Sequence, residues 1–456
     1  MPGLLVANVW EMSATSTILP AGRGKVKSAI LRPRSKRLAL TASRRARIFV
    51  DMYRGWWVVA CAFLIAVFGW GFGFYGIGVF LAELVERRGW STGSVASAVT
   101  VLYLVGAALI VVIAGLFERV GPRVIVLGGM TAMGTAAIVL TRVTQPWQLY
   151  VVFPLMAAGW AAMSGAALNL IVAPWFERRR GLAISLAFNG AAVGGVVLVP
   201  ALVFLIHRLG FTPAVATLVG VMAVTLTPLV LGLLARGPEA VGLGPDGDSL
   251  APRPVAGGAH GGSAPTARAF LRTAHFWLVA LPFTLGLTAQ ISVIIHQVSF
   301  LRPTLGVAGA AWAVSLTSAC AVLGRLAVGL VVDRMSKRGI IAGNFLLQAA
   351  SVALMLAEPG PALLYVACVM FGLGVGNTTS LPSVIVQAEF PREAFGRVVS
   401  TIIAVNQFTY SVGPGILGWL HDAFGSYQVA LAGCLALQLA AVAIVLLGAR
   451  MPPRRA

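Results

Sequence analysis

One charged side chain, Arg325, lies inside a long apolar stretch of the sequence, residues 310–332. A stretch of this length can cross the roughly 30 Å hydrocarbon core of a membrane as a helix. An arginine near the centre of such a helix costs on the order of 3 kcal/mol, so the position requires a compensating partner. Because a guanidinium forms paired hydrogen bonds with a carboxylate, the sequence predicts an anion-binding site within the membrane.

Two other roles for Arg325 remain open: its side chain could extend to the lipid headgroups, or it could only hold helices together. Arg325 lies eight residues before Asp333, about 12 Å along a helix axis. Helical side chains lean toward the N-terminus, here away from Asp333, which disfavours the headgroup contact. One turn to either side, Ala321 and Gly329 are small and leave room beside the charge. The surroundings therefore favour anion binding.

The composition indicates a polytopic membrane protein. Of the 456 residues, 58% are hydrophobic and 11% are charged, and the mean hydropathy is +0.89. Residues 71–76 match a GxGxxG pattern, but they neither follow a strand nor open a helix, as a nucleotide site requires. We find no catalytic motif and expect no enzyme activity and no cofactor. The four cysteines all lie in apolar runs without metal-ligand spacing, at Cys61, Cys320, Cys368 and Cys434.

Twelve apolar segments are long enough to be membrane helices, which predicts an all-α membrane protein. Prolines fall between several of the segments, where helices are expected to end. The segments cover approximately residues 54–82, 92–117, 123–141, 147–172, 181–206, 213–235, 274–299, 308–332, 340–357, 361–386, 397–420 and 427–449.

The segments divide the chain into two groups of six. The predicted domains are a basic N-terminal extension (1–51), a first six-helix bundle (52–235), a linker (236–272), a second six-helix bundle (273–449) and a short tail (450–456). The linker is rich in Gly, Pro and Ala, a composition typical of flexible connections.

The net charge of +20 is concentrated in the N-terminal extension and in alternate loops, not on one basic face. The loops after the second, fourth, eighth and tenth segments are richer in cations than the loops between them. This asymmetry places both termini in the cytoplasm of a cell-membrane protein and argues against a nucleic-acid partner. The extension could be a disordered tail or a targeting peptide, or translation could begin at Met52.

The two groups of segments are related by an internal repeat, in which matched residues are separated by one constant spacing along the chain. An acid–base pair after the second segment recurs after the eighth, and a glycine and a serine in the fifth recur in the eleventh. Repeats of whole six-helix halves are typical of transporters built from two pseudo-symmetric bundles. The matched residues are Glu118 with Asp333, Arg119 with Arg334, Gly181 with Gly396, and Ser185 with Ser400.

Three motifs resemble the major facilitator superfamily. The loop AGLFERVGPR (114–123) is similar to the loop between its second and third helices. The motif WFERRRGLA (175–183) with Asn189-Gly190 resembles the fifth-helix signature of the monocarboxylate transporters and of their bacterial relatives, including the oxalate–formate exchangers. The segment GPEAVGLGPDG (237–247) resembles the start of the central loop in bacterial members.

The resemblance implies twelve helices in two bundles that rock against each other in alternating access. It implies that Arg325 corresponds to the eighth-helix arginine that binds substrate carboxylate in these transporters. It also implies that charged loop residues steady closure on the cytoplasmic side. Those loop residues are Glu118, Arg119 and Arg123 in the first half and Asp333 and Arg334 in the second.

The sequence departs from these relatives in three places. Ala321 stands where animal members have an aspartate one turn before the arginine, so the group of their usual proton-coupling route is missing here. Tyr75-Gly76 stands where they have a first-helix lysine. The eleventh segment, 397–420, has no cation after its first residue, whereas oxalate exchangers use a second cation there. A single cation suits one carboxylate better than two.

Several other polar residues lie at membrane depth, and each has two interpretations. His296 could take part in proton linkage or be an ordinary hydrogen-bonded histidine near the membrane surface. Asn406 and Tyr410 share one helix face and could bind substrate or tie helices together. Phe74 and Tyr75 could wall a cavity or simply fill the core.

The sequence thus predicts a monomeric secondary transporter of a small organic anion, a monocarboxylate, with a proton as candidate co-substrate. Its predicted substrate-binding residues are Arg325, Tyr75, His296, Asn406 and Tyr410. Besides this cargo we expect only membrane lipids as partners. Two alternatives remain: a drug or metabolite exporter on the same fold, and a membrane receptor that binds a carboxylate without moving it.

Overall fold

The regular secondary structure of the protein is helical, as seen in a computed structural model. Within the residues that the structure describes, ten helical stretches are long and apolar enough to cross a membrane. Helices suit this environment because they satisfy their own backbone hydrogen bonds where no water is available. The structure describes residues 53–234, 237–248, 270–332, 334–358, 360–391 and 394–449. The predicted extension 1–51 and tail 450–456 lie outside these ranges.

The first half contains six membrane helices joined by short connections. The helical stretch Thr92–Leu140 is broken at Gly121, whose φ of 81° is not helical, and therefore contains two of the six. The helices are α1 (Arg54–Arg88), α2 (92–120), α3 (122–140), α4 (Pro146–Trp175), α5 (Arg180–Leu209) and α6 (Phe211–Leu233).

The described part of the second half contains six more helices, so the described residues hold the predicted twelve. The stretch Ala274–Val331 is broken at Gly306 into two helices, and Phe395–Phe424 is a further long helix beyond the ten apolar stretches. The helices are α7 (274–305), α8 (307–331), α9 (Lys337–Leu356), α10 (Pro361–Thr378, followed by Leu381–Glu389), α11 (Phe395–Phe424) and α12 (Gln428–Ala449).

The internal repeat is visible in the positions where helices end. Gly210 follows α5 with a φ of 88°, and Gly425 follows α11 with a φ of 68°. These two glycines are separated by the same spacing as the repeated loop residues. Glycine adopts such positive φ values without steric cost. The interruption of α4 at Ser164 likewise recurs at Thr379, where α10 is interrupted. The two halves are therefore pseudo-symmetric six-helix bundles.

The helices alternate in direction, so each bundle has two faces. We call the face that holds the start of α1 and the end of α12 the terminal face, and the opposite one the distal face. On the distal face the halves are joined by polar contacts. Arg302 pairs with Glu83, at 3.6 Å, and with Glu86. Asp422 accepts hydrogen bonds from the backbone N–H groups of Thr92 and Gly93, at 3.0 and 2.7 Å.

The first part of the linker, residues 237–248, is not a free connection but is bound to the α4–α5 loop. The carboxylate of Asp246 accepts hydrogen bonds from the backbone N–H groups of Glu177 and Arg178, at 2.9 and 2.7 Å. Burial favours a higher pKa for Asp246, but these backbone donors outweigh it and hold the pKa below its ordinary value. The Arg178 side chain also pairs with Asp248, at 2.7 Å. The expectation of a flexible linker is therefore wrong for this segment.

Candidate functional site

Arg325 lies on α8 and is half-buried. Its Nε donates a hydrogen bond of 3.0 Å to the carbonyl oxygen of Gly376 on α10. That carbonyl is available because α10 stops nearby: the N–H of Ser380 bonds to Asn377 instead. Among the described residues, neither Nη atom of Arg325 has a hydrogen-bond or ion-pair partner. The end of the guanidinium that forms paired bonds to carboxylates thus has no acceptor from the described part of the chain.

Tyr75, a predicted site residue, lies beside Arg325. Its side chain is buried, lies near Ser318 of α8 and is within electrostatic range of the guanidinium. Gly195 of α5 lies against Tyr75 and Ser318. A Cβ at Gly195 would be 2.8 Å from the Cβ of Ser318 and 2.9 Å from the Tyr75 ring. Three helices from both halves therefore meet at this point.

Two π-helical turns in the first half carry its residues of the candidate site. One is Gly71–Tyr75 in α1 and the other is Gly194–Leu198 in α5. They contact each other, since the position of a Gly71 side chain is filled by Leu198. A π-turn widens the helix by one residue and is often found at functional sites. Here the turns place Tyr75 and Gly195 against α8.

The family of the chain follows from its sequence as well as from this architecture. The family model described as the Major Facilitator Superfamily matches residues 59–309 and 291–456. The chain belongs to the Major Facilitator Superfamily. Family and fold together make it a multi-pass membrane transporter of a small-molecule substrate, as predicted.

Curated relatives of this superfamily protein include monocarboxylate transporters. It is 35% identical to mouse monocarboxylate transporter 11 over 203 residues, which is 43% of each chain, so the match spans less than half of that relative. It is 26% identical to MFS-type transporter 1 of Ophiocordyceps sp. over 345 residues, 74% of this chain and 72% of the fungal one. These matches confirm the resemblance to the superfamily and to its monocarboxylate branch.

Solved structures of two superfamily transporters share the fold. One is a bacterial homologue of the human lysosomal transporter Spinster in an inward-facing, occupied conformation, with a TM-score of 0.67, 16% identity, and coverage of 87% of this chain and 97% of that one. The other is the nucleoside transporter NupG, with a TM-score of 0.66, 11% identity, and coverage of 88% and 100%.

The other predicted binding residues of this superfamily member lie on α7 and α11. Asn406 is buried, and its Oδ1 accepts a hydrogen bond of 2.8 Å from Thr284 on α7. Tyr410 donates to Oε1 of Gln407, and its ring lies against Tyr103 of the first half, 6.1 Å between centroids. Asn406 thus ties helices within the second half, whereas Tyr410 lies where the halves meet.

His296 is buried at the distal end of α7, away from the predicted anion site. Its Nε2 lies 3.0 Å from the carbonyl oxygen of Pro414, and its Nδ1 lies 3.2 Å from the Tyr427 hydroxyl. Both ring nitrogens therefore have partners in the second half. The structure does not bring His296 into contact with Arg325 among the residues it describes.

The predicted loop charges lie on the terminal face. Glu118, Arg119, Arg123 and Arg334 are exposed, and none of them forms an ion pair within the part of the chain that the structure describes. Asp333 lies outside the described residues. Their predicted part in closing this face stays a prediction.

Sequence reasoning missed the residues that surround the site from the first half. Trp160 on α4 and Tyr103 on α2 are both buried, and the hydroxyl of Tyr103 donates to the carbonyl oxygen of Gly73, at 3.3 Å. Their apolar neighbours in the sequence make them look like ordinary core residues. The distal contacts of Arg302 and Asp422 were missed as well, because residues far apart in the chain form them.

Proposed function

We propose that this superfamily transporter carries a small organic anion with a single carboxylate by alternating access, and that Arg325 binds that carboxylate. The observation that carries the proposal is a guanidinium inside a membrane helix whose Nη atoms have no protein acceptor among the described residues. A charge in this position is costly unless a counter-charge or water reaches it. A carboxylate that arrives and leaves with each transport cycle supplies the counter-charge.

The chemistry around Arg325 supports one carboxylate per substrate. Among the described helices, Arg325 is the charged residue that lies farthest from any helix end. The Tyr75 hydroxyl is a neutral hydrogen-bonding group within electrostatic range of the guanidinium. A dicarboxylate would leave its second charge unpaired in a low-dielectric site. The mouse relative is a monocarboxylate transporter, which agrees with this choice.

In alternating access, the two halves would separate at one face of the membrane protein while they come into contact at the opposite face. The distal face is held by Arg302 with Glu83 and Glu86, and by Asp422 at the start of α2. On the terminal face, Glu118 and Arg119 form no ion pair with any described residue and would engage when that face closes. We place the protein in the cell membrane with both termini in the cytoplasm, so the described state would be open to the cytoplasm. A proton would accompany the anion and neutralise its charge.

The test is uptake of radiolabelled acetate, lactate and pyruvate into proteoliposomes, with and without an inward pH gradient. Arg325→Gln should lower uptake of all transported acids at least tenfold, because removing one partner of a buried ion pair costs about 2 kcal/mol or more. Arg325→Lys should retain part of the activity, since lysine keeps the charge but not the paired geometry. The control is Arg142→Gln, an exposed arginine on the distal face. Wild-type uptake kinetics in correctly folded Arg325→Gln would refute the proposal.

A further inference from the structure

Five aromatic side chains form a connected group at the junction of the two halves. We call Trp70, Phe74, Tyr103, Trp160 and Tyr410 the aromatic wall. Its centre is the Trp160 indole, whose ring lies 5.0 Å from Trp70, 6.2 Å from Phe74 and 6.4 Å from Tyr103. The Phe74 and Trp160 rings are nearly parallel, with 14° between their planes. Tyr410 joins the wall through Tyr103.

Glycines hold the central indole in place. A Cβ at Gly73 of α1 would be 2.7 Å from the Trp160 ring, and a Cβ at Gly106 of α2 would be 3.0 Å from it. The indole therefore lies directly against the backbones of two helices, which leaves it few alternative orientations. A fixed aromatic surface loses little conformational entropy when a ligand binds to it.

The aromatic wall continues to the proposed anion site. The Phe74 ring lies edge to face with the Tyr75 ring, 5.0 Å between centroids. Tyr75 in turn lies near Ser318 and within electrostatic range of Arg325. The rings are thus connected through Tyr75 to the neighbourhood of the guanidinium, with most of the rings supplied by the first half and the cation by the second.

The wall differs from an ordinary apolar core in two respects. Trp70, Phe74 and Tyr410 keep part of their surface uncovered, although they lie inside the bundle among other aromatic residues. In addition, two buried donors beside them, Nε1 of Trp160 and Nε2 of Gln407, have no hydrogen-bond acceptor among the described residues. Buried donors are normally paired. An acceptor oxygen on a bound ligand would pair them.

We propose that the transported acid is aromatic: its ring stacks on the aromatic wall while its carboxylate binds Arg325. This inference rests on the proposed function and names the substrate class within it. Stacking on the uncovered part of Phe74 would favour a planar ring over an aliphatic chain, because offset aromatic pairs gain energy beyond their buried area. Short acids such as acetate would bind through Arg325 alone and therefore more weakly.

The experiment compares matched pairs of probes in proteoliposomes containing the purified full-length protein. Phenylacetate and acetate share the carboxylate and differ by the ring, whereas phenylacetamide keeps the ring and loses the charge. We expect phenylacetate to inhibit counterflow of labelled phenylacetate at a concentration at least tenfold below that required of acetate. Phenylacetamide should inhibit at least tenfold less well than phenylacetate.

A variant pair separates the wall from the anion site. Phe74→Leu removes a ring at similar volume and should lower the preference for phenylacetate over acetate at least fivefold. Arg325→Gln should lower binding of both acids. Trp147→Leu, which changes an exposed tryptophan on the distal face, should leave the preference unchanged.

The possible results distinguish the aromatic inference from the carboxylate proposal. Equal potency of acetate and phenylacetate, with no effect of Phe74→Leu, would overturn the aromatic inference and leave the carboxylate proposal standing. Equal potency of phenylacetamide and phenylacetate would overturn the carboxylate proposal while the ring preference stood. Absence of binding by either acid would overturn both.

Discussion

The two halves touch at two pseudo-equivalent points that differ in size. Between α2 and α11 the contact is Tyr103 against Tyr410, two large rings 6.1 Å apart. Between α5 and α8 it is Gly195 against Ser318, two of the smaller residues. The spacing of the internal repeat relates Tyr103 to Ser318 and Gly195 to Tyr410, so each contact occupies the same place in the pseudo-symmetric frame.

The difference shows how a symmetric scaffold acquires an asymmetric site. Where both residues are large, the rings fill the space between the halves and join the aromatic wall. Where both are small, α5 and α8 approach closely, and Tyr75 can lie beside Ser318 and Arg325. Interfaces in membranes commonly use small residues in this way. We expect the contact between Gly195 and Ser318 to tolerate substitution less well than the contact between Tyr103 and Tyr410, because neither residue has a long side chain that could move aside.

Of the substitutions that test this comparison, Gly195→Ala should lower the rate of counterflow most. The added Cβ would lie within 3 Å of both Ser318 and Tyr75, so α5 and α8 would have to separate. We expect the rate of counterflow to fall at least tenfold while the yield of folded protein, measured by size-exclusion chromatography, changes little. Gly220→Ala is the matched control, because a Cβ at Gly220 would meet no atom within 4 Å.

A second substitution tests whether steric conflict is the cause. Ser318→Gly removes the nearer atoms, and the double variant Gly195→Ala with Ser318→Gly should regain most of the rate lost in the single variant. If the double variant is as slow as Gly195→Ala alone, then steric conflict between α5 and α8 is not the cause of the slow rate.

Sequence reasoning recovered the scaffold because membrane helices leave a strong local signal. Hydropathy located the twelve helices, and the constant spacing of the repeat, read from loop residues, also relates Gly210 to Gly425 at the ends of α5 and α11. Arg325 was recognisable because a charge in an apolar run is conspicuous. Trp160 and Gly195 were not, because an aromatic or small residue in a membrane helix has no distinguishing neighbour pattern. Their importance depends on which helices meet, which only the structure supplies.

Tyr410→Leu should have a smaller effect than Gly195→Ala. Leucine keeps an apolar contact with Tyr103 but loses the ring and the hydroxyl that donates to Gln407. We expect a two- to fivefold loss of counterflow rate, since the remaining aromatic wall still supports the junction. A loss as large as that of Gly195→Ala, at equal folded yield, would mean that the two contacts are equally sensitive and that size is not the relevant difference.

Asp422→Asn should have the smallest effect of these substitutions. Asp422 lies at the distal end of the α2–α11 contact. The carboxylate caps the start of α2 through Thr92 and Gly93, and asparagine keeps one acceptor oxygen but loses the charge that favours a helix N-terminus. A loss of about 1 kcal/mol would raise the population with the distal face open about fivefold. Spin labels at Trp147→Cys and Phe424→Cys, exposed on opposite halves, report this population as a longer interspin distance. The four native cysteines are buried and should not react with the label. An unchanged distance distribution would show that Asp422 caps α2 without holding the distal face closed, and the pairing of Arg302 with Glu83 and Glu86 would then account for that closure.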